Sequence, residues 1–408
     1  MALLAALKKT DLLAVKGVRL ASAYAGLKPN QQADIALIEL TKGSQLAAVY
    51  TQNQFCAAPI IVAKQHQQEN ADTRLCLINA GNANAGTGQA GITAAKHCCH
   101  QLAQQYDIDG SQVLPFSTGV IGQALPDEKI IATFPTLLTA LSTTHWYEAA
   151  QAIKTTDTQA KGISVQVTIG GQLVTVTGIA KGSGMIQPDM ATMLAYIATD
   201  AAVSQPVLQQ ILACAVKTSF NRICVDGDTS TNDACVLIAT AKVAMETITT
   251  MDDDAGQQLY QAIVEVCQYL AKAIVRDGEG ATKFVTITVT EGESAQECHQ
   301  LANLLAQSPL VKTALFASDP NWGRILAVVG RSGIDNLELS NVSIYLDDVK
   351  LIHHGEPDND YSEQAGQTVM AKEDILIKVE LGRGQAEETV WTCDLSYDYI
   401  KINAEYRT

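Results

Sequence analysis

Two absences limit what this protein can be. No apolar run approaches the roughly 20 residues needed to cross a bilayer, since the longest, such as residues 325–329, are interrupted within a few positions. The apolar start, Met1 to Leu7, is broken by Lys8 and Lys9 before it reaches the length of a signal-peptide core. We therefore expect a cytoplasmic protein that has no membrane partner.

Positive charge and paired cysteines are also scarce. The 28 Lys and Arg residues are outnumbered by 43 Asp and Glu, which gives a net charge of -15. Such a surface repels phosphate backbones, so we expect no nucleic-acid partner. The ten cysteines include no CxxC pair, which indicates reduced, mostly buried thiols without a disulfide framework.

The commonest catalytic motifs are missing as well. The sequence contains no GxxxxGK[ST], no HExxH and no GxSxG. This removes the usual P-loop, zinc-protease and serine-hydrolase interpretations. Any chemistry must therefore come from a less common arrangement of residues.

What is present predicts a mixed α/β protein with ample core material, since 47% of its 408 residues are hydrophobic. Alternating or continuous apolar runs predict strands, and longer runs with helical periodicity predict helices. A Gly170-Gly171 pair between two alternating runs predicts a hairpin. The predicted strands are 34–40, 74–79, 163–169, 172–177 and 283–290, and the predicted helices are 91–106, 206–220, 254–276 and 297–307, with the chain after residue 307 largely strands and turns.

Residues 178–197 carry the most chemical information. They form a glycine-rich turn with Lys181, followed by Pro188 and then by Ala191 and Thr192. A threonine hydroxyl is a poor nucleophile unless a base lies beside it, and an N-terminal threonine has its own α-amine for that purpose. Cutting the bond between Ala191 and Thr192 would create this arrangement, although the pattern alone also fits an ordinary strand residue.

Other segments have both functional and ordinary interpretations. A turn over residues 115–122 offers backbone N-H groups and the Thr118 hydroxyl to a developing oxyanion, but Ser, Thr and Gly are common in any turn. Residues 86–91 contain a formal GxGxxG. Because several residues separate it from the preceding strand near Asn79, a dinucleotide site is the weaker interpretation there.

Three further segments favour ordinary structure. Residues 97–100, His-Cys-Cys-His, lack the separated ligand pairs of a zinc site, which favours a helix with half-buried cysteines. Residues 226–233 lack the glycine and glutamate of a calcium loop, which favours a polar turn. Glu279, between two glycines after a long helix, is placed to bind an ammonium group or simply to be solvated.

Taken together and in this order, these motifs resemble those of the ornithine acetyltransferase family, the bifunctional glutamate N-acetyltransferases of arginine biosynthesis. The resemblance runs over essentially the whole chain. The matching motifs are Asn79-Ala-Gly-Asn-Ala-Asn84, Ser117-Thr-Gly-Val-Ile-Gly122, Thr155-Thr-Asp-Thr158, Lys181-Gly-Ser-Gly-Met185, Met190-Ala-Thr-Met-Leu194, residues 221–233, Asp277-Gly-Glu-Gly-Ala-Thr-Lys283, Asp319-Pro-Asn-Trp-Gly-Arg324 and Asn403-Ala-Glu-Tyr-Arg-Thr408.

The resemblance implies a layered α/β sandwich of the self-processing ornithine acetyltransferase type. It implies an α chain of residues 1–191 and a β chain of residues 192–408 that stay together as an α2β2 heterotetramer. It also implies that acetyl passes from N2-acetylornithine to Thr192 and then to glutamate. Acetyl-CoA is an additional donor in some members of the family, and no metal or cofactor is implied.

The resemblance also assigns the site. Thr192 would be the nucleophile, and Thr118 with Gly119 would form the oxyanion hole. The residues expected to contact substrate are Thr155, Lys181, Thr192, Glu279, Asn403 and Thr408. Thr156 fits nearly as well as Thr155. Asp189 stands where a neutral residue is expected, and a carboxylate so close to the cut is expected to slow processing.

Physical reasoning supports two of these roles. Amino-acid substrates carry a carboxylate and an ammonium group, and Lys181 and Glu279 supply one fixed charge of each complementary sign. Two alternatives stay open at this point. One is a self-processing aminopeptidase or amidase, in which water rather than an amine receives the acyl group. The other is an uncut binding protein without catalytic activity.

Overall fold

The computed structural model describes residues 3–29, 31–187 and 193–405, and α-helices and β-strands alternate along them. The strands are β1 Val18–Ala23, β2 Ile35–Leu40, β3 Gln45–Tyr50, β4 Leu75–Asn82, β5 Val113–Val120, β6 Lys161–Ile169, β7 Gln172–Lys181, β8 Leu194–Thr199, β9 Ile223–Cys224, β10 Ala234–Ala239, β11 Phe284–Gly292, β12 Ser343–Leu346, β13 Val349–His353, β14 Glu356–Pro357, β15 Asp374–Glu380 and β16 Ala386–Cys393. The helices are α1 Ala58–Glu69, α2 Gly88–Tyr106, α3 Asp127–Ile131, α4 Phe134–Thr139, α5 Trp146–Ala152, α6 Gln205–Lys217, α7 Asp254–Arg276, α8 Ala295–Gln307, α9 Pro309–Phe316, α10 Trp322–Gly330, α11 Glu363–Met370 and α12 Tyr397–Glu405.

Two sheets stack face to face between two layers of helices. One has the order β1-β2-β4-β5 and the other β3-β10-β8-β7-β6. Because successive side chains in a strand point to opposite faces, Ile38 and Tyr196 meet in the core between the sheets, while Leu37 packs outward towards α2 and Ile197 towards α6 and α7. The result is an α/β/β/α sandwich, which confirms the predicted layered α/β class.

A third sheet extends this sandwich. Its order is β14-β13-β12-β15-β11-β16-β9, and α8 to α11 cover one of its faces. Phe284 and Trp391, from β11 and β16, join the same core as Ile274 of α7. Helix α7 therefore lies between the sandwich and the third sheet, and its C-terminal end delivers the turn that contains Glu279.

Several sequence-based predictions are confirmed. Helix α7 has the predicted limits, and its N-cap is Asp253, whose carboxylate accepts a hydrogen bond from the backbone N-H of Gly256 at 2.7 Å. Strands β6 and β7 form the predicted hairpin. Gly170 and Gly171 have φ angles of 55° and 78°, as a tight two-residue turn requires. All ten cysteines are free, and eight are buried.

Other predictions were wrong. The prediction for the chain after residue 307 was incomplete, because α9, α10, α11 and α12 lie there among the strands and turns. Short apolar segments such as residues 325–329 fit a strand or a buried helix equally well by periodicity. Residues 115–120 are not a turn but part of β5, and β4 continues to Asn82 rather than ending near Asn79. Among the described residues, no helix combines the length and apolarity that a bilayer crossing demands.

A buried ion triad joins the layers close to these strand ends. The Lys161 ammonium lies 2.6 Å from Asp157 Oδ1 and 2.6 Å from Asp277 Oδ2. Asp157 also accepts a hydrogen bond from Gly182 N at 2.7 Å, and Asp277 accepts one from Thr158 N at 3.1 Å. The triad therefore fixes the end of β7 and the turn after α7 relative to the start of β6.

Replacing Lys161 by Met is expected to destabilise the protein by about 3–5 kcal/mol, because two carboxylates would lose their buried cation. Urea denaturation measures this change. The matched control is Lys9→Met, since Lys9 pairs with Glu148 at the surface, where its side chain is 55% exposed, and such a pair contributes about 1 kcal/mol or less. Equal losses in the two variants would contradict a stabilising role for the triad.

Candidate active site

A cavity of about 100 Å³ lies where the ends of β5, β7 and the start of β8 meet the turn after α7. Six of the residues expected from the sequence lie together in its wall. They are Thr118, Gly119, Thr155, Lys181, Glu279 and Asn403. Thr118 and Lys181 lie more than 60 positions apart in sequence, and Glu279 is about 100 further on, so the fold alone brings them to one place.

Thr118 and Gly119 form one wall of the cavity at the end of β5. Lys181 Nζ donates a hydrogen bond to Thr118 Oγ1 at 3.2 Å. Since the threonine oxygen is used as an acceptor, its hydroxyl proton is free to point at a developing negative charge. Gly119 has a φ of 132°, and a Cβ there would lie 2.3 Å from the carbonyl carbon of Gly81. Only glycine therefore fits at this position.

Lys181 is the cation at the centre of the cavity. It ends β7 and is 9% exposed. Burial lowers the pKa of its ammonium group, and the nearby carboxylates of Asp157, Asp233 and Glu279 oppose this shift. A buried cation surrounded by acidic groups is a suitable partner for a carboxylate that enters without its water shell.

Glu279 is the opposing anion, also 9% exposed. Its backbone N-H donates to Ser183 O at 2.9 Å, and its Oε2 accepts a hydrogen bond from Asn403 Nδ2 at 2.7 Å. A Cβ on Gly184 would lie 2.5 Å from the Glu279 carboxyl group. The glycine-rich turn after β7 thus leaves the space that this carboxylate occupies.

The structure helps to separate Thr155 from Thr156, both of which line the cavity. The Thr156 hydroxyl is 2.7 Å from the Ser183 hydroxyl, so the two share a hydrogen bond. Within the described ranges, the Thr155 hydroxyl makes no hydrogen bond, while its backbone N-H donates to Asp157. Thr155 is therefore the better placed of the two to bind a ligand.

Thr192, the cleavage bond after Ala191, Asp189 and Thr408 lie outside the described residues. The chain is described up to Gln187 and again from Met193. Just before the gap, Asp226 accepts hydrogen bonds from the N-H groups of Met185 at 2.6 Å and Ile186 at 2.8 Å. Met185 has a φ of 56°, a left-handed conformation that costs energy for a side chain with a Cβ. Asp226 therefore holds a strained turn on the approach to Thr192.

Sequence reasoning missed Asp157, Asn232 and Asp233. Asn232 Nδ2 donates to Ala83 O at 2.6 Å and to Ser117 O at 2.9 Å, and so connects the two stacked sheets beside Thr118. All three residues lie inside motifs that the sequence did display. No local signal singles them out, because each lies among other polar residues in the sequence.

Residues 97–100 lie in a helix and residues 226–233 form a polar turn, as predicted, although the two cysteines are fully rather than half buried. Cys98 and Cys99 of α2 are buried in the core, while His97 turns outward to Asp127, 2.8 Å away. Glu128 lies near this pair, but the group is partly exposed. The asparagines of residues 79–84 bond to nearby backbone, and Asp226 caps a polar turn.

The chain is similar to known proteins over most of its length. A family model described as the ArgJ family matches residues 19–408. The arginine biosynthesis bifunctional protein ArgJ of Pseudomonas fluorescens (strain Pf0-1) is 52% identical over 394 residues, which are 97% of each chain. Among solved structures, the arginine biosynthesis bifunctional protein argJ of Bacillus halodurans is 37% identical, with a TM-score of 0.49 over 53% of this chain and 100% of that chain. Ornithine acetyltransferase complexed with ornithine from Mycobacterium tuberculosis is 31% identical, with a TM-score of 0.39 over 45% of this chain and 98% of that chain.

Gly119→Ala is expected to destabilise the protein by several kcal/mol, well beyond the roughly 1–2 kcal/mol of an alanine forced into the left-handed region. The reason is the contact of the new Cβ with the Gly81 backbone. Gly122→Ala is the matched control, because Gly122 has a φ of 81° but open space around it. Urea denaturation gives the loss in unfolding free energy for each variant. The loss in Gly122→Ala comes from backbone strain alone, whereas the loss in Gly119→Ala also includes the contact of the new Cβ with the Gly81 backbone. Similar losses would show that the clash is relieved without cost.

Proposed function

The chain belongs to the ArgJ family, and from this and the cavity we propose that it is an N-acyltransferase of arginine biosynthesis. In this proposal the protein cuts itself between Ala191 and Thr192 and then moves an acetyl group from N2-acetylornithine to glutamate. Thr192 carries the acetyl group between the two half-reactions. The products of the cut, residues 1–191 and 192–408, stay associated, and we extend the proposal to an α2β2 assembly.

The observation that carries the proposal is the composition of the cavity wall. One small buried space contains a hydroxyl and a glycine backbone suited to an oxyanion, together with a cation and an anion, Lys181 and Glu279. These are the groups that acyl transfer between amino acids requires. Residues from both sides of the proposed cut contribute to the wall.

The cut begins when Thr192 Oγ attacks the carbonyl carbon of Ala191. As the C-N bond breaks, the hydroxyl proton passes to the Thr192 nitrogen, which becomes a free α-amine, and an ester joins the Ala191 carbonyl carbon to Thr192 Oγ. Water then hydrolyses this ester, which releases the Ala191 carboxylate and restores the Thr192 hydroxyl. The turn held by Asp226, with Met185 in a left-handed conformation, supports the proposal because it restrains the chain on the approach to this bond.

In the transfer reaction, the Thr192 α-amine accepts the hydroxyl proton as Oγ bonds to the acetyl carbon. Thr118 and Gly119 stabilise the oxyanion, the C-N bond breaks, and ornithine leaves with the proton on its α-amine. Glutamate then enters the same cavity, and its α-amine attacks the acetyl ester. The Oγ-C bond breaks as N-acetylglutamate forms, and the proton that the attacking amine loses passes through the Thr192 α-amine to Thr192 Oγ. Acetyl-CoA would give the same acetyl-Thr192, which makes it a second candidate donor. None of these steps requires a metal or redox cofactor.

The wild-type protein is expected to run as two fragments of similar size on denaturing electrophoresis, and Thr192→Ala as one full-length band, because the variant has no hydroxyl to attack Ala191. After N2-acetylornithine is added without an acceptor, mass spectrometry is expected to show one acetyl adduct on the fragment of residues 192–408.

Glutamate distinguishes transfer from hydrolysis. In the transferase, adding glutamate removes the acetyl adduct and yields N-acetylglutamate. Release of acetate at a rate that glutamate does not change would instead identify an amidase. A wild-type protein that stays in one piece would contradict the self-cleavage on which the whole mechanism rests.

Glu279→Gln is expected to raise the KM for N2-acetylornithine about 10- to 100-fold, because a charge-assisted hydrogen bond to an ammonium group contributes about 1.5–3 kcal/mol. The amide keeps the size of the side chain and an oxygen for Asn403. Glu405→Gln on α12 is the matched control, since Glu405 is exposed. Steady-state kinetics of both variants measure the effect, and an unchanged KM would rule out Glu279 as the ammonium-binding group.

A further inference from the structure

Helix α12 lies against the cavity without an apolar face of its own. None of its residues is buried, and Tyr397 and Ile400 are among the most exposed hydrophobic side chains of the described chain. Helices in proteins gain most of their stability by packing such a face against a core. Yet α12 places Asn403 in the cavity wall, where its amide binds Glu279. The polar contacts of α12 therefore decide where Asn403 is held.

Three consecutive hydrogen bonds connect α12 with two walls of the cavity. The Tyr399 hydroxyl donates to Asp226 Oδ2 at 3.2 Å. The Asn403 amide group donates to Tyr399 O at 3.0 Å and to Glu279 Oε2 at 2.7 Å. Asp226 is itself fixed, because Oδ2 also accepts a hydrogen bond from Met185 N at 2.6 Å. The chain of hydrogen bonds thus runs from the glycine-rich turn after β7 to the carboxylate of Glu279.

The Tyr399 hydroxyl is a half-buried group that the mechanism above leaves unused. Burial and the neighbouring Asp226 carboxylate raise the pKa of Tyr399, so its hydroxyl keeps the proton that it donates. A hydrogen bond to an ionised acceptor is roughly twice as strong as one between neutral groups. Tyr399 is not among the residues that line the described part of the cavity, so it holds α12 without meeting a ligand there.

Asn403 determines how the Glu279 carboxylate is turned. Its amide takes Oε2, while Oε1 accepts no hydrogen bond from the described part of the chain. A carboxylate has about four acceptor positions on its two oxygens, so the second oxygen can bind an ammonium group while the first stays with Asn403. The direction in which Oε1 points therefore depends on the position of Asn403.

Resting on the function proposed above, we propose that Tyr399 is a positioning residue for the ammonium-binding carboxylate of Glu279. Its hydrogen bond to Asp226 sets the position of α12, and Asn403 on that helix fixes Oε2. Oε1 is thereby aimed at the side-chain ammonium group of N2-acetylornithine. No proton is transferred along this chain of hydrogen bonds, so its effect is on substrate binding.

Tyr399→Phe removes the hydroxyl and keeps the ring. Its KM for N2-acetylornithine is expected to rise about 3- to 10-fold, the range that the loss of one hydrogen bond gives. Its kcat is expected to stay within about twofold, because the lost interaction serves binding and not the transition state. Tyr397→Phe is the matched control, since Tyr397 lies on the same helix, is 78% exposed and packs its ring against Phe316. Steady-state kinetics are measured after denaturing electrophoresis confirms the cut.

A double-mutant cycle tests whether Tyr399 acts through Asn403. Asn403→Ala removes the amide that connects Tyr399 with Glu279. In this background Tyr399→Phe is expected to change the KM by less than about twofold, because coupled residues have non-additive effects. A hydroxyl that only stabilised the fold would instead change the KM by the same factor in both backgrounds.

The results that overturn the proposal are specific. They are an unchanged KM in Tyr399→Phe, a fall in kcat alone, or an equal rise in KM in both backgrounds. A Tyr399→Phe protein that stays uncut also overturns it, because the hydroxyl would then act on the turn after β7 and not on Glu279. Failure of the proposed function looks different, since wild-type protein would form no acetyl adduct on residues 192–408. A wild type that transfers acetyl, with a Tyr399→Phe variant indistinguishable from it, refutes only the role of Tyr399.

Discussion

The burial of Lys161 between Asp157 and Asp277 is the constraint on which the site depends. Three charges without solvent would be costly, so their geometry has to be close to ideal. The charges of Lys161 and Lys181 overcome the effect of burial and lower the pKa of Asp157, which keeps it ionised. Since Asp157 also binds Gly182 N and Asp277 also binds Thr158, a small movement of any member would displace the cavity wall.

The same ionic network sets the electrostatics of the cavity. Burial lowers the pKa of Lys181, and Asp157, which also pairs with Lys161, opposes this shift together with Asp233 and Glu279. The pKa values of the two buried aspartates shift in opposite directions. Lys161 and Lys181 overcome the effect of burial at Asp157 and lower its pKa, whereas burial raises the pKa of Asp233 against the opposing effects of Ser230 and Lys181. Because both side chains are buried, the difference comes from their partners and not from their depth.

The sequence predicted the elements whose patterns are long or whose turns are distinctive. The long periodic run of α7 and the Gly170-Gly171 hairpin are local signals, and both were located well. Helices α9 to α12 were missed because they are short and two of them are strongly apolar, which leaves periodicity ambiguous. The candidate site was found through residues inside recognisable motifs, whereas the pairing of Lys161 with Asp277, 116 positions away, has no local signal. Chain topology alone creates that contact.

Chain topology also explains how a protein can be cut in its site and still keep that site intact. Strand β7 precedes the proposed cut and β8 follows it, yet they are paired from Val176 opposite Thr199 to Lys181 opposite Leu194. In the sheet order β3-β10-β8-β7-β6, strands of the second fragment lie between strands of the first. Separating the fragments would require breaking the central sheet and leaving its buried backbone groups unpaired. A cut at this bond would therefore free an amine at Thr192 while the interleaved strands, together with the Lys161–Asp277 ion pair, hold the cavity wall in place.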